Sequence, residues 1–214
     1  MKNLKNINFK NKKTIILFVS LILFIFLTYN IFNNKIAFID SYIEGIILSI
    51  RNDKLTDIMT IITNISSAYA LIVITILLLI LIKNKKIPIL ITFNLIFSFL
   101  SSQLIKIILR RDRPVNISLV NAMGFSYPSG HSMVSMAYFG FIAYLVYKYI
   151  DNTIVKVILI ITLFVSIFAI GFSRIYLGVH YFSDVLGGFL LSISYLMLFI
   201  NINKFNLSEV KQWK

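Results

Sequence analysis

The sequence contains no cysteine. This excludes disulfide staples and thiolate metal sites and removes the usual clue to a redox compartment. Histidine is nearly as scarce, His131 and His180 being the only two, and eight acidic residues stand against 21 Lys and Arg. So few donors are too few for a convincing metal site, and neither a metal nor another cofactor is expected. No internal repeat, low-complexity tract or flexible linker divides the 214 residues, a length that suits one domain spanning 1–214.

Apolar residues, by contrast, make up 58% of the chain, and the mean hydropathy is +0.88. That is far from a soluble composition and points to the bilayer. The net charge of +13 would suggest nucleic acid in a soluble protein. Here the charges fall between long apolar runs, and anionic lipid headgroups explain them better. The expected partners are therefore the lipid bilayer and a membrane lipid, not nucleic acid.

A helix needs about 20 predominantly apolar residues to cross a ~30 Å hydrocarbon core. Six segments approach that standard: Thr14 to Phe32, Ser66 to Ile82, Ile87 to Leu109, Ser132 to Ile150, Thr153 to Phe172 and Ser183 to Ile200. The expectation is an all-α polytopic membrane protein with six transmembrane helices. Residues 1–36 supply a tail and first span, 37–65 a helical segment at the interface, and 66–214 the catalytic core. The first span follows a lysine-rich start, but Thr28 to Phe32 offers no small-x-small cleavage site, so it reads as retained rather than as a signal peptide. Between Ala37 and Ile65, Ile39, Ile43, Ile46 and Ile47 recur at helical spacing while Asp40 and Glu44 share the opposite face. That pattern suits a helix lying in the interface plane, or equally a short solvated helix packed on its neighbours.

With the N-terminus cytoplasmic, thirteen of the 21 basic residues fall inside, in the groups Lys2 to Lys13, Lys83 to Lys86, Lys148 with Lys156, and Lys204 to Lys214. The positive-inside rule thus puts both termini in the cytoplasm. Most of the outer cations gather in two short stretches that also carry chemistry.

The first of these is Lys106 to Pro114. Lys106 and Arg113 are seven apart, two helical turns, so a continuing helix would point both the same way, with Pro114 ending it. A charge at membrane depth costs about 2.5–3.5 kcal/mol, so such residues usually have a task. Arg110 and Arg111 suit that site or a stop-transfer cluster on lipid headgroups. A second stretch, Tyr127-Pro128-Ser129-Gly130-His131, combines a tight turn with a helix start; backbone N–H groups and the Ser129 hydroxyl form an anion cradle there, or a simple helix cap. The third runs from Ser173 through Arg174 and His180 to Asp184. His180 and Asp184 are four apart, so a helix would stack carboxylate beside imidazole, either fixing a reactive tautomer or making an ordinary satisfied pair. By this topology all three stretches, both histidines and three cations without matching acids lie at the outer face, which calls for an external anion.

Together the stretches resemble the signature of the type 2 phosphatidic acid phosphatase superfamily: Lys-x6-Arg-Pro, Pro-Ser-Gly-His and Ser-Arg-x5-His-x3-Asp, with no departure at any signature position. The resemblance covers the chain from about the second span onward. It implies that His180 takes the phosphoryl group as a phosphohistidine and that Asp184 orients it. It further implies that His131 protonates the leaving lipid oxygen and then activates water. Lys106, Arg113, Ser129, Gly130 and Arg174 bind phosphate in this reading, without a metal. The same signature occurs in vanadium haloperoxidases, but those are soluble. Of the substrates the resemblance allows, undecaprenyl pyrophosphate is favoured, with phosphatidylglycerophosphate or phosphatidic acid as the alternative. A lipid-phosphate binder or transporter would need the cations but neither histidine.

Overall fold

The computed structural model describes residues 2–115 and 117–203, with side chains from residue 12 onward. Lys204, Lys211, Lys214 and the side chains of Lys2, Lys5 and Lys10, which the orientation argument uses, lie outside this range. The described residues form eight helices: α1 (Lys2–Phe32), α2 (Ala37–Ile50), α3 (Asp53–Asn64), α4 (Ala68–Leu81), α5 (Lys86–Leu109), α6 (Gly130–Tyr149), α7 (Thr153–Tyr176) and α8 (Phe182–Ile202). Their starts follow side-chain chemistry. The carbonyl oxygens of Asn52 and Asn152 and the hydroxyl of Ser67 accept backbone N–H groups at the first turns of α3, α7 and α4.

Among the described residues four helices are long and apolar enough to cross a membrane, at Lys12–Phe32, Lys86–Leu109, Thr153–Tyr176 and Phe182–Ile202. A fifth crossing is obtained if α3 and α4, bent by 46° at their junction, count as one broken span. The expectation of six spans is thereby corrected, and the reason is physical. α4 has only 14 residues, about 21 Å at 1.5 Å per residue, short of a hydrocarbon core. α6 is long enough but not apolar enough, carrying Gly130, His131, Ser132, Ser135, Gly140 and several tyrosines. It packs against α5, α7 and α8, and its residues from Ser132 to Phe141 are all buried. A helix whose neighbours are protein rather than lipid does not need an apolar surface. α1 and α7 are the reverse case, presenting Ile22, Phe26, Ile154 and Val165 outward, a surface that only a bilayer covers.

Because lipid tails are as apolar as leucine, apolar burial alone does not hold such helices together; close packing and polar pairs do. The Ser20 and Ser194 hydroxyls, 2.7 Å apart, join α1 to α8, and Thr75 Oγ1 with Tyr138 Oη at 2.9 Å joins α4 to α6. Each such pair contributes roughly 0.6 to 2 kcal/mol in a membrane. On α5, Asn94, Ser98, Ser102 and Lys106 recur every fourth residue, and all four are buried. One stripe of α5 therefore carries polarity through the bundle to its last turn.

Residues 37–65 are two helices rather than one, broken at Arg51–Asn52. Arg51 donates from Nε and Nη2 to the carbonyl of Tyr176 and from Nη1 to that of Ile117, so it caps the end of α7. α2 also presents its faces otherwise than its pattern predicts. Asp40 is only 4% exposed, whereas Ile39 and Ile46 are each 46% exposed. A partly buried cation, described below, turns the acidic position inward.

Candidate active site

α5 and α7 end where α6 and α8 begin, so the three motif stretches converge at one end of the bundle. Lys106 stands in the last turn of α5, buried among its neighbours. The helix stops at Leu109, with Arg110 in the left-handed region at φ 50°, five residues before Pro114. Arg113 therefore reaches Lys106's side of the site by a chain reversal, not by the helical spacing expected. Lys106 Nζ donates to the carbonyls of Phe125 (2.7 Å) and Ser126 (3.3 Å). Arg113 donates to the carbonyls of Gly124, Met123 and Val179 at 2.8–2.9 Å. These partners are neutral, so both charges stay uncompensated.

Gly130 opens α6 directly after Ser129. That serine stands at the N-cap without a side-chain capping bond: its hydroxyl accepts from Ser132 Oγ at 3.0 Å, and its N–H donates to the Asp184 carbonyl at 3.0 Å. The loop is seated on α8 by glycine. A Cβ on Gly188 would lie 2.8 Å from the Ser129 carbonyl oxygen, and one on Gly187 would strike the Tyr127 ring. From the other side, α1 holds Tyr127 by a stacked Phe24 ring 5.9 Å away and a 2.8 Å contact between Thr28 Oγ1 and the phenol.

Arg174 lies in the last turn of α7, and Gly178, at φ +71°, turns the chain toward His180. The imidazole precedes α8 and Asp184 lies in its first turn, so the pair meets across a helix start, not along a helix face. His180 Nδ1 is 3.2 Å from Ser126 Oγ and 3.4 Å from Asp184 Oδ2, while Ser126 Oγ also donates to that oxygen. On the other ring edge, Arg113 Nη1 is 3.3 Å from Nε2. Guanidinium is a donor only, so Nε2 must accept, which leaves the proton on Nδ1 toward Ser126 and Asp184. Both edges thus select one tautomer, with the Nε2 lone pair on the Arg113 side. Burial, with Lys106 and Arg113 adding to it against the pull of Asp184, pushes the His180 pKa down to about 3. Burial, then Arg174, does the same for His131, also to about 3. Both rings are neutral at rest.

Lys106, Arg113, Gly130, His131, Arg174 and His180 line one cavity of about 510 Å³. Ser129 and Asp184 lie behind its wall. None of the three cations makes a salt bridge among the described residues. Arg174 Nη1 donates to Thr63 Oγ1 at 2.7 Å, but its buried Nε has no partner, nor has the buried Ser102 Oγ, one turn before Lys106 on the same wall. Among the described residues no three His, Cys, Asp or Glu side chains gather to hold a metal ion. The chamber is cationic, holds unspent donors, and is lined by two neutral imidazoles, His131 and His180. It is built for a compact, multiply charged anion.

Three contributors escape sequence reasoning, Ser126, Ser183 and Asp40, and a fourth, Arg111, is left open by it between the site and a headgroup cluster. Arg111 is not a headgroup cation. Its Nη1 meets Asp184 Oδ1 at 2.6 Å and Ser183 Oγ at 2.7 Å, and its Nη2 meets Asp40 Oδ2 at 2.8 Å. The available signals were Arg111's place two residues before Arg113 and the scarcity of acids, which makes any acid between apolar positions conspicuous.

Residues 87–207 match the model of the PAP2 superfamily. The chain is 33% identical over 202 residues to phosphatidylglycerophosphatase B of Bacillus subtilis, covering 92% of this chain and 97% of that one. Its fold superposes at a TM-score of 0.81 on the crystal structure of a transmembrane PAP2-type phosphatidylglycerolphosphate phosphatase from Bacillus subtilis. Identity there is 27%, with 92% of this chain and 98% of that one covered. Aquifex aeolicus LpxE, 24% identical with a TM-score of 0.58 over 73% of this chain and 93% of that one, shares the fold. Motifs, chamber and relatives agree: the chain belongs to the PAP2 superfamily and is a multi-pass membrane lipid phosphatase.

Proposed function

We propose that the enzyme hydrolyses a phospholipid monophosphate of the phosphatidylglycerophosphate type, through a phosphohistidine on His180, at the extracytoplasmic face. The observation that carries the mechanism is the tautomer: Nε2 accepts from Arg113 beside the cationic cavity while Nδ1 faces Asp184. Lys106, Arg113 and Arg174 surround the phosphoryl oxygens, with the Gly130 backbone on the same wall and Ser129 backing it. Nε2 forms a bond to phosphorus as the P–O ester bond breaks, and the departing alkoxide takes a proton from His131. The phosphorylated ring carries positive charge, which Asp184 offsets. Water then attacks phosphorus, giving its proton to His131; the P–N bond breaks and inorganic phosphate leaves. Substrate binding brings the anion that restores His131 to its protonated form, since the empty site holds it neutral.

This choice of substrate is supported by the relative with near full-length similarity, whose name specifies phosphatidylglycerophosphate. This moves the preference away from undecaprenyl pyrophosphate, the slightly favoured substrate of the sequence reading. The outward orientation is supported by the opposite end of the bundle, where Lys13 and Lys148 both sit over the Tyr144 ring, at 4.8 and 5.8 Å. Residues 1–214 are taken to act as one membrane-embedded unit.

Phosphate release by purified protein in detergent with EDTA tests the reading. The panel is phosphatidylglycerophosphate, phosphatidic acid, diacylglycerol pyrophosphate and undecaprenyl pyrophosphate. Phosphatidylglycerophosphate should turn over fastest, EDTA should leave the rate unchanged, and His180→Ala should abolish it while binding survives. Near-normal release by His180→Ala ends the nucleophile assignment; loss of activity in EDTA ends the metal-free mechanism. For orientation, Met123, 94% exposed beside the cavity, becomes a reporter in a chain with no native cysteine. Met123→Cys should react with a membrane-impermeant maleimide on intact cells, and protection until lysis would reverse the orientation.

A further inference from the structure

Asp40 belongs to α2, well before the family-matched residues 87–207. It is nevertheless buried, with its two oxygens in distinct tasks. Oδ1 accepts the Ser183 N–H at 2.9 Å, one of the donors left open at the start of α8. Oδ2 accepts from Ser183 Oγ at 2.6 Å and from Arg111 Nη2 at 2.8 Å. The other fork of Arg111 holds Asp184 Oδ1, and Asp184 Oδ2 faces His180. The guanidinium also stacks over the Tyr181 ring at 4.3 Å, between His180 and α8. One arginine thus stands between two carboxylates, the nearer of which faces the proposed nucleophile.

Geometry and charge balance give this arrangement a direction. Asp184 alone with Arg111 would form a closed ion pair, spending its charge on the guanidinium. With Asp40 as second partner, Arg111 is shared, and Asp184 keeps enough negative charge to hold the Nδ1 proton and offset the imidazolium formed on phosphorylation. Arg111's planar fork lets it bridge two carboxylates at fixed spacing, which a lysine could not do.

We infer that Asp40 is a positioning residue for the phosphatase reaction, acting through Arg111 on Asp184 and so making α2 part of the catalytic machinery. This rests on the proposed role of His180. Purified full-length Asp40→Asn, Arg111→Ala, the double variant and His180→Ala should be compared on phosphatidylglycerophosphate. Asparagine keeps the size of Asp40 and a hydrogen-bonding oxygen for Ser183 but removes the charge. Asp40→Asn should lower kcat about tenfold, the scale on which outer hydrogen-bond partners of a functional histidine act, with KM within about twofold. If Asp40 works through Arg111, the double variant loses no more than Arg111→Ala alone. If Asp40 merely anchors α8 through Ser183, the two losses multiply, and the inference fails. It fails too if Asp40→Asn keeps full kcat while His180→Ala is dead. Turnover by His180→Ala instead overturns the underlying site reading, so the two failures are distinguishable.

Discussion

The two sides of the His180 ring use the same kinds of residue to opposite ends. In front, Lys106, Arg113 and Arg174 are held by carbonyls and a threonine hydroxyl, with no carboxylate among their hydrogen-bond partners in the described residues. Behind, Arg111 is bonded to both Asp40 and Asp184. The rear cation is neutralised within the protein and fixes geometry; the front cations are fixed by neutral groups and keep their charge for a ligand. An arginine's task here is set by whether its partner is an ion or a dipole. Arg111 and Arg113, two residues apart, fall on opposite sides of that line.

Removal of a front cation should have the largest effect. Arg113→Ala deletes a positive charge from the chamber and the donor that holds Nε2, so kcat/KM should fall roughly 10²–10³-fold, as for loss of one preorganised transition-state donor. Arg113→Lys restores charge but not the fork, and should recover only part of that loss. Should Arg113→Ala cost less than Arg111→Ala in steady-state kinetics, the division into front and rear roles is wrong.

A smaller effect is expected where the chamber's wall is seated. Gly188→Ala puts a methyl group 2.8 Å from the Ser129 carbonyl oxygen, which is backbone and cannot turn aside. Overpacking of this kind costs about 1–3 kcal/mol. The variant should melt earlier in detergent and lose activity in step with the displaced loop. An unchanged melting temperature would mean the loop yields freely.

Much of this was legible in one dimension. The apolar runs mark the apolar span of α1 and the helices α5, α7 and α8 near their observed limits, and Lys106, Arg113, Gly130, His131, Arg174 and His180 of the motifs stand among the residues that line the chamber. Two things were not legible, for different reasons. Hydropathy reports a segment's composition, whereas crossing count depends on what surrounds it. α6, ringed by protein, is free to be polar, and α4 is short and joined to α3 at a bend. The rear network is invisible because its bonds from Arg111 span 71 residues to Asp40, on a helix that carries no motif, and 73 residues to Asp184. Helical spacing even misled, predicting Asp40 outward and joining Lys106 to Arg113 along a helix that ends before Arg113. Periodicity describes an isolated helix; an ion pair made by a buried carboxylate outweighs it.

The gentlest test leaves every residue in place. Because the chain has only two histidines, ¹⁵N-histidine labelling gives two imidazoles to follow by NMR. Burial and the front cations push both pKa values from 6.5 down to about 3, so neither ring should protonate between about pH 8 and 5 in the empty enzyme. The sign for stability follows. The unfolded chain binds these protons near pH 6.5 and the folded chain only near 3, so stability is full above about 6.5 and falls as pH drops toward 3. Vanadate, an anion that resembles the five-coordinate transferring phosphate, should reverse the effect of the front cations. His131, facing them, should then titrate upward on binding. His180, backed by Asp184, should instead lose the Arg113 donor signature at Nε2. A histidine titrating near 6.5 without ligand would mean that the front cations are already compensated, and the contrast between the two sides of the ring would disappear.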